Sequence, residues 1–175
     1  MRTIAILTLT LILLGCQKPQ KLSDTMTNTK AIQETVARLF VNTDQKHWDG
    51  VEQQFASKVH LDYSSMTGLP AEDLSPSEIT ANWKAVLPGF THTHHQIGNF
   101  IIDASETKAH VFCYGTATHY LDDENGNLWT VVGSYDFDLE NIAGSWRVTR
   151  MKFNYKYQTG NSGLVALAIK NAKTE

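Results

Sequence analysis

From residue 91 onward the chain alternates apolar and polar side chains along four long stretches, and no other feature restricts the fold as strongly. The stretches cover residues 91–102, 108–121, 128–139 and 146–157. Period-two patterning predicts strands with one buried face. The connections at 103–107, 122–127 and 140–145 are short, and the second contains Asn125-Gly126, a strong hairpin signal. Parallel neighbours need long crossovers, so these strands are expected to form an antiparallel meander. Each exceeds the usual strand length of about five or six residues, so the sheet has to bend or bulge.

Upstream of residue 90 the period is helical. Ile32, Val36, Leu39 and Phe40 repeat at helical spacing and form one apolar stripe. A second short helix is expected to carry Trp48, Val51 and Phe55, with Asp44 placed to cap its start. Val59, Leu61 and Tyr63 alternate with polar neighbours, as in a strand. Ser75-Pro76-Ser77-Glu78 combines a hydroxyl cap, a proline in the first turn and a glutamate three residues after the cap. That is a capping box, and it starts a helix with Ile79, Trp83, Val86 and Leu87 on its buried side and Pro88-Gly89 at its end. Leu164, Val165, Leu167 and Ile169 suggest a short C-terminal helix or an extra strand. Helices followed by long bent hairpins predict an α+β fold in which a curved antiparallel sheet wraps around N-terminal helices. The concave face is then the default place for a pocket. A chain of 175 residues is long enough to bury such a core without metal or disulfide staples.

The N-terminus reads as an address. Met1-Arg2-Thr3 is followed by an apolar run over residues 4–14, about half the length that spans a bilayer. It ends in Leu13-Leu14-Gly15-Cys16, which resembles the lipobox of bacterial lipoproteins. The resemblance implies cleavage before Cys16 and acylation of its sulfur; an ordinary secretory signal with an incidental cysteine is the alternative. Gln17 stands where the inner-membrane retention signal would place Asp, which implies the outer membrane, facing the periplasm. The expected organisation is a signal peptide at 1–15, a polar tether at 16–28 and one domain at 29–175. With Cys16 acylated, Cys113 has no partner for an intramolecular disulfide. The lipid anchor would be the only contact with the membrane. A net charge of −3 without a Lys/Arg block argues against nucleic acid as a partner.

The histidines carry the chemical information. Strand alternation puts His92 and His94 on one face and Thr93, His95 and Ile97 on the other, so His95 is the candidate for the interior. His119 shares its face with Ala109, Val111, Cys113, Gly115 and Ala117, small residues that would leave room for a ligand. Tyr63 follows the inward row of Val59 and Leu61. Other readings stay open: Asp44 as a helix cap, His95 as a satisfied core residue, and the tryptophans as packing groups. His92, His94 and His95 raise the alternative of a zinc site, but no third ligand with a supporting second contact is fixed by the pattern. Cys113, in an apolar strand without a neighbouring cation, reads as buried and inert.

These residues also carry a resemblance. Asp44-Gln45-Lys46-His47-Trp48, His60-Leu61-Asp62-Tyr63, His94-His95-Gln96-Ile97-Gly98, Thr118-His119-Tyr120 and Gly144-Ser145-Trp146-Arg147 stand in the order and spacing of SnoaL-like proteins. That family has the nuclear transport factor 2-like fold, and the pattern is similar to scytalone dehydratase and bile-acid dehydratases. The resemblance implies a cone-shaped pocket, with Asp44 orienting a catalytic His95, Tyr63 holding a substrate oxygen and His119 as a second pocket histidine. Thr43 departs from the tyrosine these dehydratases often place before the aspartate, and Gly133, Ser134 and Tyr135 do not match their polar pair. The implied activity is that of a cofactor-independent lyase or isomerase acting on a small, mostly apolar oxygenated compound, with no metal or organic cofactor. A protonated His119 would assist departure of a hydroxyl group. A homodimer is also implied. Two alternatives stay open, a non-catalytic small-molecule-binding lipoprotein and an interaction protein of the cell envelope, because one architecture hosts many functions.

Overall fold

A computed structural model describes residues 20–173, with side chains from residue 28 onward. The signal segment at 1–15 and Cys16 lie outside the described residues. Helix α1 (Gln20–Asp44) packs Ile32, Val36, Leu39 and Phe40 into the core, as their spacing predicts. Its helical backbone begins within the segment that composition assigns to the tether. Among the described residues no helix is long and apolar enough to cross a membrane.

Two short elements differ from expectation. Helix α2 (Trp48–Glu52) ends before Phe55, which instead opens strand β1 (Phe55–Asp62). Asp44 does not cap α2: it is the last residue of α1, and the position before α2 is His47, which makes no side-chain capping bond. Tyr63 lies just beyond β1 and starts the single turn α3 (Ser64–Thr67). After the short strand β2 (Glu72–Leu74), helix α4 (Pro76–Lys84) begins with the expected capping box, Ser75 and Glu78 satisfying each other's backbone N–H groups. A short 3-10 turn at Leu87–Gly89 follows.

The four long strands are β3 (His92–Ala104), β4 (Lys108–Tyr120), β5 (Leu128–Ile142) and β6 (Ser145–Gly160). They form the antiparallel meander, and β1 adds to it parallel to β6, giving the sheet order β2-β1-β6-β5-β4-β3. That parallel junction is possible because the whole of β2 to β5 intervenes as the crossover. The long strands bend as their length requires: the register shifts near Asn99 in β3, whose φ is 56°, and twice between β5 and β6. Helix α5 (Leu164–Ala172) closes one end of the sheet against the 3-10 turn. The approach is close enough that a Cβ on Gly89 would lie 1.9 Å from the Ala168 carbonyl oxygen, so only glycine fits there. The result is α+β: an open, curved six-stranded sheet folded around the helices, its concave face carrying Val111, Val131, Phe137 and Phe153 into the core.

Candidate active site

The end of α1 meets the start of β3. Lys46, in the left-handed region with φ 58°, turns the chain out of α1 and donates to the carbonyls of Pro88 and Phe90 at 3.1 and 3.4 Å. This ties the helix terminus to the segment that leads into β3. Alternation along β3 then points Thr93 and His95 inward, and both reach the Asp44 carboxylate.

Asp44 receives three hydrogen bonds from β3. Oδ1 accepts from the Thr93 hydroxyl at 2.9 Å and from His95 Nδ1 at 2.6 Å, and Oδ2 accepts from the His95 backbone N–H at 2.7 Å. Both side chains are mostly buried, 13% exposed for His95 and 17% for Asp44. Burial works to raise the carboxyl pKa, but the hydrogen bonds and charge of His95, helped by Thr93, outweigh it and leave the pKa lowered. A carboxylate can only accept, so His95 Nδ1 carries the proton and Nε2 is the free lone pair when the ring is neutral. Nε2 has no protein partner among the described residues, and the ring lines a cavity. Phe40 stacks on that ring at 5.5 Å between centroids, fixing its plane.

The cavity is about 230 Å³, just under the usual range of roughly 300–1,000 Å³ for ligand pockets, so it suits a small molecule. Tyr63, His95 and His119 all line it, together with Phe40, Trp83 and Tyr135. Three of the sequence-predicted residues therefore share one pocket, and Asp44 stands behind His95. Among the described residues that line it there is no Lys or Arg.

His119 is 5% exposed and packs against Phe90 and Trp129, which also contact each other, with its ring edge-on to His95. Burial, with the neighbouring His95 charge, pushes its pKa down to about 4. The ring is neutral near pH 7, so the expected proton donation by a charged His119 does not hold. Nδ1 faces the Trp129 carbonyl at 3.3 Å and must carry the hydrogen, which leaves Nε2 as an acceptor. Tyr63 is a neutral phenol whose pKa burial raises far above 10.

The row of small residues on β4 is used differently from the expectation. A Cβ on Gly115 would lie 2.3 Å from Cε2 of Tyr135, so the missing side chain makes room for that ring, and of the row only Ala117 lines the cavity. The sequence resemblance does not single out Tyr135, yet alternation with Val131, Phe137 and Leu139 on β5 marks it as inward-facing. His92 and His94 are exposed on the face opposite His95, and among the described residues no group of three or more His, Cys, Asp or Glu side chains is placed to hold a metal ion. Burial, with the Asp136 charge, raises the Cys113 thiol to about 12, which keeps it protonated.

Comparison with known proteins gives a consistent picture. The family model of the SnoaL-like domain matches residues 24–152. No curated protein matches the chain. Among solved structures, a Kribbella flavida protein is 25% identical, with a TM-score of 0.73, covering 86% of this chain and 99% of its own. A putative scytalone dehydratase of Novosphingobium aromaticivorans is 18% identical, with a TM-score of 0.70, covering 80% of this chain and 91% of its own. A hexachlorocyclohexane dehydrochlorinase of Novosphingobium barchaimii is 15% identical, with a TM-score of 0.68, covering 81% of this chain and 94% of its own. At these identities the last two describe a shared fold.

Proposed function

The chain belongs to the SnoaL-like domain family, and from that premise we propose that it is a cofactor-independent lyase or isomerase in which His95 removes a proton next to a carbonyl. The observation that carries this reading is the Asp44–His95 pair, with Nδ1 held by the carboxylate and Nε2 free on a ring that lines the cavity. A neutral imidazole with one nitrogen free is the side chain most often used as a general base. The Asp44 carboxylate fixes the tautomer and stabilises the imidazolium formed when the proton is taken.

In the dehydratase version, the electrons of the broken Cα–H bond form an enolate. The Cβ–O bond then breaks as Cα=Cβ forms, and the hydroxyl leaves as water with the proton held on His95. One base serves both transfers, and the oxidation level is unchanged. In the isomerase version the same proton returns to another carbon. His119, neutral, accepts a hydrogen bond from a substrate hydroxyl; Tyr63 donates to the carbonyl oxygen, where charge develops. The proposed substrate is small, mostly apolar and uncharged, in keeping with a pocket lined without Lys or Arg.

The proposal extends to location. The apolar run at 4–14 and Cys16 support a lipid-anchored protein of the bacterial cell envelope, facing the periplasm from the outer membrane. Homodimerisation is proposed with it.

The test is dehydration of a panel of cyclic β-hydroxyketones, read by absorbance of the conjugated enone, together with solvent-deuterium exchange at the α-carbon. Wild type should catalyse one or both and His95→Ala neither, with unchanged circular dichroism. Ligand binding without exchange in wild type would replace the catalytic reading by that of a binding module. Equal rates in His95→Ala would remove the base assignment.

A further inference from the structure

The Tyr135 ring is held from several sides. Phe40, Phe137 and Phe153 pack on it at 5.0, 5.6 and 4.9 Å, and Gly115 leaves open the space that one edge occupies. The residue is only 5% exposed. Its hydroxyl nevertheless makes no hydrogen bond to any described residue, while the residue lines the cavity. No buried side-chain oxygen among the described residues lacks a partner, so this hydroxyl is not sealed in the core but keeps contact with the open space the residue lines, where phenylalanine would offer no donor. A polar group held so rigidly, and left unsatisfied by the protein, is arranged for something that enters the cavity.

Its neighbours say what that is. Tyr63, the other phenol in the cavity, also has an unpartnered hydroxyl, and both rings pack on Phe153, at 5.8 Å for Tyr63 and 4.9 Å for Tyr135. Phe40 packs on Tyr135 and on His95, so the second phenol stands one ring away from the base. The phenol pKa is raised by burial and by the nearby Tyr63, Cys113 and Asp44, so the group is a neutral donor at any working pH. A donor without a protein acceptor suits a ligand oxygen that accepts.

We infer that Tyr135 is a substrate-positioning residue that donates, alongside Tyr63, to the oxygen of a carbonyl compound and favours that oxygen when it becomes anionic. This rests on the proton-abstraction reading for its catalytic consequence, but not for its binding consequence. Two neutral donors in an apolar cavity favour a ligand that is uncharged on entry and carries an enolate-like oxygen in the reactive state.

The test is equilibrium binding of para-nitrophenolate, a stable oxyanion, with nitrobenzene as a similarly shaped control lacking the oxyanion. Wild type and Tyr135→Phe are compared as full-length chains. The hydrogen bond to a charged oxygen predicts that Tyr135→Phe binds para-nitrophenolate about ten- to a hundredfold more weakly and loses the red or blue displacement of its bound spectrum. Nitrobenzene affinity should change less than twofold, which excludes a collapsed cavity. Equal para-nitrophenolate affinity and spectrum in the two proteins would overturn the inference, as would parallel losses for both ligands or wild type that binds nitrobenzene alone. The two readings fail separately: a missing His95 dependence of turnover removes the lyase reading and leaves this discrimination standing.

Discussion

Lowering the pH should destabilise the fold through His119, and the size of the effect follows from its burial. The ring titrates near 4 in the folded protein against an ordinary 6.5. Because the folded pKa is depressed, the unfolded chain binds the proton first as pH falls. The neutral ring's contribution to stability is complete above about 6.5 and is lost progressively down to about 4. The full shift corresponds to about 3 kcal/mol, of which roughly 1 is gone by pH 5.5 and between 2 and 3 by pH 4.5. Urea unfolding of wild type and His119→Gln at pH 7, 5.5 and 4.5 measures it. The glutamine keeps a neutral donor for the Trp129 carbonyl but cannot titrate. Carboxylates titrate in both proteins, so the difference between the two curves isolates the histidine. The gap should shift in favour of the variant by 2 to 3 kcal/mol between pH 7 and 4.5. Parallel curves would refute the claim that His119 is buried neutral, and with it the acceptor role given to its Nε2.

Three more outcomes are expected. Asp44→Asn preserves shape but removes the charge that holds the His95 tautomer, so kcat should fall on the order of a hundred- to ten-thousandfold with little change in KM; steady-state kinetics on a substrate found by the β-hydroxyketone panel decides it. Gly115→Ala places a methyl against the Tyr135 ring at a distance no relaxed contact allows, and urea unfolding should show a loss of about 1–3 kcal/mol. Radiolabelled palmitate should enter the wild-type chain and not Cys16→Ser; equal labelling would remove the lipid anchor from the proposal.

What the sequence made legible follows the range over which each interaction acts. The meander, the capping box at Ser75 and the α1 stripe depend on neighbours within a few residues, and alternation or helical spacing carries them completely. The same parity rule turns His95 toward the interior. Phe55, one aromatic residue at helical spacing from Val51, reads equally well as the end of a helix or the start of a strand; pairing with β6, far along the chain, decides for the strand. Tyr135 was legible as inward-facing but not as unpartnered, since that depends on what Gly115, Phe40 and Phe153 leave around its hydroxyl. The protonation of His119 was illegible for a similar reason: its burial is created by Phe90 and Trp129 from two other segments.

Asp44 shows most clearly how a local rule yields to the site. As the last residue of α1, it puts a negative charge at the negative end of the helix dipole, with no basic residue in the last turn to offset it. That arrangement is unfavourable by about 0.3–1 kcal/mol, and burial adds to the penalty. From helix rules alone the carboxyl pKa should rise, yet it falls. The three donors from β3 account for the reversal, since hydrogen bonds to a charged group contribute roughly 1.5–3 kcal/mol each. They are in place because Lys46 pins the helix end to the carbonyls just before β3. A capping role would have been satisfied by the next helix, without a contact some fifty residues away. The carboxylate sits where it is locally unfavourable and globally satisfied, which is the pattern expected of a functional residue held by the fold around it.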